Sequence, residues 1–536
     1  MPSRIKARPP RKRAFTPKTR TGCKTCRIRR IKCDENRPSC GQCTRGRRIC
    51  DGYVNPASPS QTHRRFESLS ASFTTMSVCT LIGTDQERRC FHYFRCRTVP
   101  QLSGSFESTF WNRLLLQATQ HQPVVWHAVV ALGSLHRHFE QRHQNLSEAD
   151  EFALQQYVKA IGLVLKPIRE QGHQAADVVL ISCVLFVCFE ILRGYHSAAL
   201  SHINGGVKII SELPSCQPNT TLSLAANPYV PLPVFKQIFS RLDAQASQIS
   251  NRRPRHLLYQ NLSTTNPSYN ADIPTSFQSF EAARNELDYI HTDAMIAMQS
   301  LPPPSPITYP PSPIDAQIKL SLDLICNSST IRLKKWSSAF ESLLQTQKDN
   351  LSEFNQREVD ILKLHRVLMS INLNIDLVRA KNDEMMWDNY TEEFETMVRY
   401  AEDLLNSTAT QEQSAFTLDT EVILPLYFVA VKCRHGRVRR KAISLLRSQQ
   451  RQEGVWNSFL TARVAERSMQ IEEEGLDSTI VVAAEVLRFK RVLGVEVSFD
   501  FEHRRANLEF VKLKENGGVD RVNEWIEWTS LGPKIL

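Results

Sequence analysis

Six cysteines near the N-terminus have the spacing of a metal site. They follow the pattern C-x2-C-x6-C-x6-C-x2-C-x6-C and comprise Cys23, Cys26, Cys33, Cys40, Cys43 and Cys50. The pattern contains the unit C-x2-C-x6-C twice. Zinc in a closed structural site takes four thiolates in a tetrahedron, so six thiolates can hold two zinc ions if two of the cysteines bridge both ions.

Disulfides are the alternative for these cysteines, because their number is even and the segment is short. An iron–sulfur site is a further alternative. The two C-x-x-C pairs, the basic N-terminus and the absence of a signal-peptide pattern favour zinc. The sequence therefore predicts a zinc-stabilised module, with disulfides and an iron–sulfur site as the alternatives left open.

Positive charge is concentrated on the same part of the chain. Residues 1–50 contain 17 Lys and Arg and two acids, a net charge of +15, whereas the whole chain of 536 residues has a net charge of +12. Residues 51–536 therefore sum to about −3. A dense basic load on a metal-held module is an electrostatic footprint for phosphate, so we expect double-stranded DNA as the partner.

The segment between the second and third cysteines is suited to contact with DNA. It reads Arg27-Ile28-Arg29-Arg30-Ile31-Lys32. This length allows one or two helical turns between metal-bound ends, and a basic helix in the major groove can present arginine to guanine O6 and N7. We interpret Lys24, Arg27 and Lys32 as phosphate contacts, which position the helix but do not read the bases.

The runs at residues 21–34, 37–40 and 50–53 resemble the DNA-binding head of the fungal binuclear zinc cluster transcription factors. The resemblance implies that Cys23 and Cys40 bridge the two zinc ions. The ligand sets that it implies are Cys23, Cys26, Cys33 and Cys40 for one ion, and Cys23, Cys40, Cys43 and Cys50 for the other.

The same resemblance implies a function. Arg29 and Arg30 match the positions at which family members read guanine-rich, CGG-like half-sites. The implied protein is a sequence-specific regulator of RNA polymerase II genes that acts in the nucleus, together with the transcription machinery or co-regulators. It is expected to bind DNA without being an enzyme.

Composition divides the chain into four parts. Residues 1–20 are a basic arm predicted to be disordered and to serve as a nuclear import signal, and 21–53 are the zinc module. Residues 54–84 form a linker, and 85–536 form a large helical domain. Since no a/d pattern is sustained over several heptads, no coiled coil is evident and a homodimer stays an open possibility.

The large domain reads as mostly α, with a short C-terminal β-hairpin from residues 495–501 and 508–513. Apolar residues recur at helical spacing from Pro123, over 153–165 and over 199–210, while 178–189 is apolar almost throughout. That last run is too short to span a bilayer and is predicted to be a buried central helix, so no membrane partner is expected. A proline-rich loop is predicted at residues 300–313.

Parts of this domain resemble the regulatory domain that accompanies the zinc cluster in many fungal factors. The matching stretches are residues 87–94, 110–113, 192–194 and 434–446.

Two other functions are weighed against a DNA-binding regulator. One is a chromatin-targeted enzyme, against which the absence of a nucleophile elbow, a phosphate loop and an HExxH helix counts. The other is a zinc-dependent protein-interaction module, which the charge on residues 1–50 disfavours.

Overall fold

A computed structural model describes the following residues of the chain. These are residues 23, 25–26, 29, 31–36, 39–46, 50, 83–106, 108–141, 147–171, 174–213, 222–223, 225–249, 273–299, 313–348, 353–376, 380, 383–407, 414–476, 482–500, 505–515, 518–529 and 532–534. The chain divides into two compact units, residues 1–79 and 80–536. The predicted basic arm and almost all of the predicted linker lie outside the described residues.

The N-terminal unit is built around its cysteines. A helical turn begins at Thr25, where the backbone N–H of Arg29 donates to the Thr25 carbonyl at 3.2 Å. The second half carries helix α1 (Gly41–Arg45), whose N-cap is Cys40. The buried apolar cluster of this unit, among its described residues, consists of cysteines alone.

The C-terminal unit opens with a capping box. Thr84 Oγ1 accepts from the Glu87 N–H at 3.3 Å, and the Glu87 carboxylate accepts from the Thr84 N–H at 2.8 Å. These reciprocal bonds satisfy two backbone donors that a helix start would leave unpaired, and they fix where helix α2 begins.

Helices make up most of this unit. They are α2 (Asp85–Tyr93), α3 (Val99–Ser103), α4 (Leu115–His121), α5 (Pro123–Gln141), α6 (Ser147–Gln171), α7 (Ala176–Leu192), α8 (His196–Glu212), α9 (Leu232–Ile249), α10 (Phe280–Gln299), α11 (Pro313–Gln347), α12 (Glu353–Asn374), α13 (Thr391–Asn406), α14 (Ile423–Lys432), α15 (Gly436–Ser448) and α16 (Ser458–Glu472). Short π-helical segments lie at Phe94–Thr98 and Phe110–Leu114, and 3-10 segments at Glu384–Tyr390, Ala483–Glu485 and Arg488–Lys490.

Helix α7 is the buried central helix that its apolar sequence predicts. None of its residues is exposed, and it packs against α5 and α8. The amphipathic patterns at residues 123–135, 153–165 and 199–210 form α5, α6 and α8, as predicted. No helix among the described residues is both long and apolar enough to cross a membrane.

The C-terminal β-hairpin is present and belongs to a larger sheet. Strands β6 (Val492–Asp500) and β7 (Arg505–Leu513) pair antiparallel, which confirms the hairpin. The sheet continues through β8 (Val519–Thr529) and β9 (Gly532–Lys534) in the order β6-β7-β8-β9. Strand β8 escaped prediction because its apolar residues do not alternate with polar ones. Val522 and Ile526 join the apolar cluster on β7.

Two small sheets inside the helical region were also not predicted. Strand β1 (Gln174–Ala175) pairs parallel with β2 (Leu222–Ser223). Strand β3 (Ser414–Thr417) pairs parallel with β4 (Gln450–Glu453), which pairs antiparallel with β5 (Trp456–Asn457). Strands of two to four residues are too short to show an alternating pattern.

The proline-rich segment needs one correction at its end. Residues 300–312 lie outside the described residues, but Pro313, predicted to belong to the loop, is the first residue of α11. Proline is compatible with that position because the first helical N–H has no partner within the helix.

Buried charges tie the C-terminal sheet to the helices. The Glu472 carboxylate at the end of α16 accepts from the N–H of Val492 on β6 at 2.7 Å. It also pairs with Arg434 at 2.7 Å and with Arg439 at 2.6 Å. Arg434 reaches Glu384 at 2.8 Å as well. The side chains of Arg434, Arg439 and Glu472 are fully buried, so each charge needs its partner.

Candidate metal centre

Four cysteine sulfurs form the centre of the N-terminal unit. The Sγ atoms of Cys23, Cys26, Cys40 and Cys43 all lie within 4.8 Å of one another. The Cys23–Cys40 distance is 3.5 Å, Cys26–Cys40 is 3.6 Å and Cys23–Cys43 is 3.8 Å. A tetrahedral zinc with Zn–S bonds near 2.3 Å places its sulfurs about 3.8 Å apart. The spacing of these four sulfurs therefore fits tetrahedral zinc ligation. Cys26 and Cys43, which the implied ligand sets place on different ions, also lie 3.9 Å apart.

The two halves of the cysteine pattern make the same hydrogen bonds. The N–H of Cys26 donates to Cys23 Sγ, and the N–H of Cys43 donates to Cys40 Sγ, both at 3.4 Å. The N–H of Cys23 donates to Cys33 Sγ at 3.4 Å, and that of Cys40 donates to Cys50 Sγ at 3.5 Å. The repeated spacing thus becomes a repeated structure, and it brings all six sulfurs into one arrangement.

The protonation of these thiols bears on metal binding. All six are free cysteines, so the disulfide alternative does not hold in this structure. Burial raises the pKa of Cys23 to about 12. Only the thiolate ligates zinc, so metal binding must displace protons from the cluster, and the donated N–H bonds favour the thiolate that remains. The donor set fits a binuclear zinc cluster.

A short turn joins the two halves. Asp34 Oδ1 accepts from the N–H of Gly41 at 3.0 Å, and Glu35 has a positive φ of 60°. A Cβ atom on residue 41 would lie 2.5 Å from Asp34 Oδ2, so a larger residue there would displace the Asp34 carboxylate. The turn thereby fixes the start of α1 against the loop that follows Cys33.

Two of the predicted DNA contacts fall within the described residues. Arg29 and Lys32 are both exposed, and neither forms an ion pair with another described residue. Arg45, also exposed, lies 4.0 Å from Asp34. The predicted contacts Lys24, Arg27 and Arg30 lie outside the described residues. The described part of the segment after Cys26 therefore presents positive charge to solvent.

Sequence reasoning missed a cavity in the C-terminal unit. It has a volume of about 300 Å³ and is lined by α9, α10, α12 and the chain at Asp419–Thr420. Its polar lining includes His291 and His365. No local motif joins these residues, because they come together only when distant helices pack. The acidic, aromatic stretch at residues 383–400 packs into the core through Trp387 and Phe394.

Two family models match the chain. The fungal Zn(2)-Cys(6) binuclear cluster domain matches residues 21–60, and the fungal-specific transcription factor domain matches residues 89–463. The first match covers the cysteine cluster and the second covers most of the C-terminal unit. No solved structure matches the chain.

Curated relatives carry names that agree with both models. The aspercryptin biosynthesis cluster-specific transcription regulator of Emericella nidulans is 24% identical and aligns over 86% of this chain and 89% of its own length. The transcription regulator lscL of Purpureocillium lilacinum is 29% identical over 35% of this chain and 48% of its own length. The transcriptional regulatory protein moc3 of Schizosaccharomyces pombe is 57% identical over 8% of this chain and 9% of its own length.

Proposed function

Because the chain belongs to the fungal Zn(2)-Cys(6) transcription regulators and carries their binuclear zinc cluster, we propose that it binds double-stranded DNA sequence-specifically and regulates RNA polymerase II genes in the nucleus. The observation that carries this proposal is the cysteine cluster, which is repeated in both halves and lies next to an exposed basic segment.

Within the cluster, Cys23 and Cys40 bridge the two zinc ions. Cys26 and Cys33 complete the first site, and Cys43 and Cys50 complete the second. The 3.5 Å separation of Cys23 Sγ and Cys40 Sγ lets both sulfurs bind the same ions and supports this sharing. Each zinc is structural: it closes the fold and holds the basic segment in place.

The basic segment contacts DNA through two kinds of side chain. Arg29 and Arg30 read guanine in CGG-like half-sites through bidentate hydrogen bonds. Lys24, Arg27 and Lys32 contact phosphates and set the register of the module on the duplex. The exposure of Arg29 and Lys32, without acidic partners among the described residues, supports these roles.

We divide the whole chain into the import arm 1–20, the zinc module 21–53, the linker 54–84 and the domain 85–536. This last domain is regulatory rather than catalytic and engages co-regulators. The cavity of this last domain does contain acidic and basic side chains. However, Arg241 donates to Asp288 at 2.7 Å and His365 Nε2 bonds the Glu421 carbonyl at 2.9 Å, so these groups are committed to the protein. Such pairing favours a binding domain over an enzyme.

Selection of binding sites from random duplex DNA tests the proposal directly. With the zinc-loaded full chain, we expect enrichment of a CGG-like triplet, and the number of triplets per selected site reports whether one or two copies bind. The affinity for the selected site should fall with salt at a slope of about 0.9 per phosphate contacted. A pool that shows no enrichment, or an affinity insensitive to salt, would contradict sequence-specific DNA binding and favour a protein-interaction module.

A further inference from the structure

The cavity of the C-terminal unit is bounded by preformed walls. Its volume is about 300 Å³, at the small end of the range for ligand sites. The wall at Asp419–Thr420 is held from behind, because Glu453 Oε2 accepts from the N–H groups of Glu421, Val422 and Ile423 at 2.8–3.0 Å. One carboxylate thus fixes the chain that closes this side.

One wall of the cavity is apolar. Helix α12 contributes Ile361, Leu362, Leu368 and Met369, all of which are buried. Phe106 adds an aromatic ring on another side. This surface offers van der Waals contact to a hydrocarbon chain or ring and no hydrogen bond.

The opposite wall is polar, and most of its charges are paired. Arg241 Nε donates to Asp288 at 2.7 Å. Arg284 forms an ion pair with Asp419 and lies over the Phe106 ring at 4.5 Å from its centre. These two pairs cancel in charge, so they shape the wall without attracting an ion.

Among the described residues of this wall, one cation has no acidic partner and one hydrogen-bond acceptor has no donor. Lys236 lines the cavity and has no acidic partner among the described residues. Gln248 Oε1 is buried and, among the described residues, has no hydrogen-bond partner, while its Nε2 lies 3.4 Å from His291 Nε2. A buried carbonyl of this kind is destabilising unless a donor reaches it.

The two histidines that line the cavity, His291 on α10 and His365 on α12, add no positive charge. Desolvation lowers the pKa of His291 to about 4 and also lowers the pKa of His365. Both rings are therefore neutral near pH 7. With Lys236, Arg241 and Arg284 set against Asp288 and Asp419, the charged lining sums to +1.

We propose that this cavity binds a small organic monocarboxylate with an apolar body and a hydroxyl or N–H donor at its far end. Its carboxylate pairs with Lys236, its body lies on α12 and its donor bonds Gln248 Oε1. Lys236 and Gln248 lie about 18 Å apart along α9, and their side chains reduce the span to be bridged to the order of 10 Å. An aryl-propionate with a para hydroxyl has that length.

Isothermal titration calorimetry of the full chain with 3-(4-hydroxyphenyl)propionate tests the proposal. For a ligand of this size we expect a Kd of about 0.1–1 mM. The neutral primary amide of the same acid and 3-phenylpropionate, which lacks the hydroxyl, should each bind roughly tenfold more weakly. The amide loses the negative charge that pairs with Lys236, and 3-phenylpropionate loses the donor to Gln248 Oε1.

Two substitutions locate the binding. Lys236→Gln removes the cation and should weaken the hydroxylated acid about tenfold while the amide binds as before. Ala244→Phe fills the cavity from α9 and should abolish binding. The matched control is Lys208→Gln on α8, an exposed lysine 3.9 Å from Glu212, which should change nothing. Thermal unfolding of each variant checks its fold.

Three results would overturn the proposal: no saturable binding of any of the three probes, equal affinity for acid and amide, or binding unchanged by Lys236→Gln. If Ala244→Phe does not fold, the comparison of acid with amide in the Lys236→Gln chain still decides whether Lys236 binds the carboxylate. All titrations are done without DNA. A negative result in the DNA-binding experiments would therefore not change the titrations. Negative titrations would likewise not contradict the DNA-binding function.

Discussion

In the described part of residues 23–50 the buried cluster consists of cysteine sulfurs, whereas the C-terminal unit buries a continuous apolar core that runs from Phe94 to Ala465. About thirty residues cannot bury enough apolar surface to fold unaided. Metal binding to comparable structural sites contributes on the order of 10–16 kcal/mol to folding. One unit therefore depends on a ligand for its structure, and the other depends on its own packing and buried ion pairs.

Removal of a bridging sulfur should show the difference between the two units most clearly. We expect Cys23→Ala to unfold the N-terminal unit and abolish DNA binding, because it takes one ligand from each zinc ion. Cys50→Ala, which removes a ligand from one ion, should be less severe. Native mass spectrometry measures the number of bound zinc ions, and a gel shift measures the affinity for DNA. The exposed Cys96→Ala is the control. Two zinc ions retained in the Cys23→Ala chain would refute the shared-ligand assignment.

The second largest effect should fall on the C-terminal unit alone. Glu472→Ala leaves Arg434 and Arg439 buried without their shared carboxylate. Breaking a buried pair in this way costs about 3–5 kcal/mol of unfolding free energy, measurable by urea denaturation. The nearby exposed Glu474→Ala should cost less than about 0.5 kcal/mol. Zinc content should stay the same in both variants; a loss of zinc from Glu472→Ala would contradict the independence of the two units.

Acid should weaken the C-terminal unit through the same carboxylate. Burial alone would raise the pKa of Glu472, but Arg434 and Arg439 outweigh it and lower the pKa to about 2. The folded pKa lies below the unfolded value near 4.5, so this contribution is complete above about pH 4.5 and is lost as the pH falls toward 2. The expected loss is about 3 kcal/mol. Glu472→Gln should flatten the pH dependence of unfolding in that window, and an unchanged slope would contradict the assignment.

The smallest predicted effect distinguishes two roles within the basic segment. Arg29→Ala should cost about 1–3 kcal/mol on the selected site and relax the preference for guanine. Lys32→Ala should instead weaken all sequences alike and reduce the salt slope by about 0.9. Fluorescence anisotropy with selected and scrambled duplexes measures both. If Arg29→Ala weakens the two duplexes equally, Arg29 contacts phosphate rather than a base.

The parts of this structure that sequence could predict are local ones. The cysteine spacing predicts the sulfur cluster because the contacts within each half join residues that are ten apart in the chain. These are the hydrogen bonds from the Cys23 N–H to Cys33 Sγ and from the Cys40 N–H to Cys50 Sγ. Helix α7 and the β6–β7 hairpin follow from short apolar runs. Each of these features is determined by residues close to it in the chain.

The parts that sequence could not predict depend on distant partners. Arg434 and Arg439 lie in a basic stretch of sequence, and nothing near them in the chain shows that both are buried. They pair with Glu472, and Arg434 also pairs with Glu384, from other elements. The cavity likewise needs α9, α10 and α12 together. Strand β8 has no alternating apolar pattern, so its pairing with β7 is what identifies it.

The equivalence of the two cysteine halves gives the N-terminal unit the character of a dimer within one chain. Each half supplies three thiolates, one fewer than a closed tetrahedral site requires, so neither half can bind zinc alone in this way. Their interface is self-complementary in the manner of an isologous contact, with metal in place of apolar side chains. The short segment of chain that joins the two halves then acts as a tether, which raises the effective concentration of each half for the other.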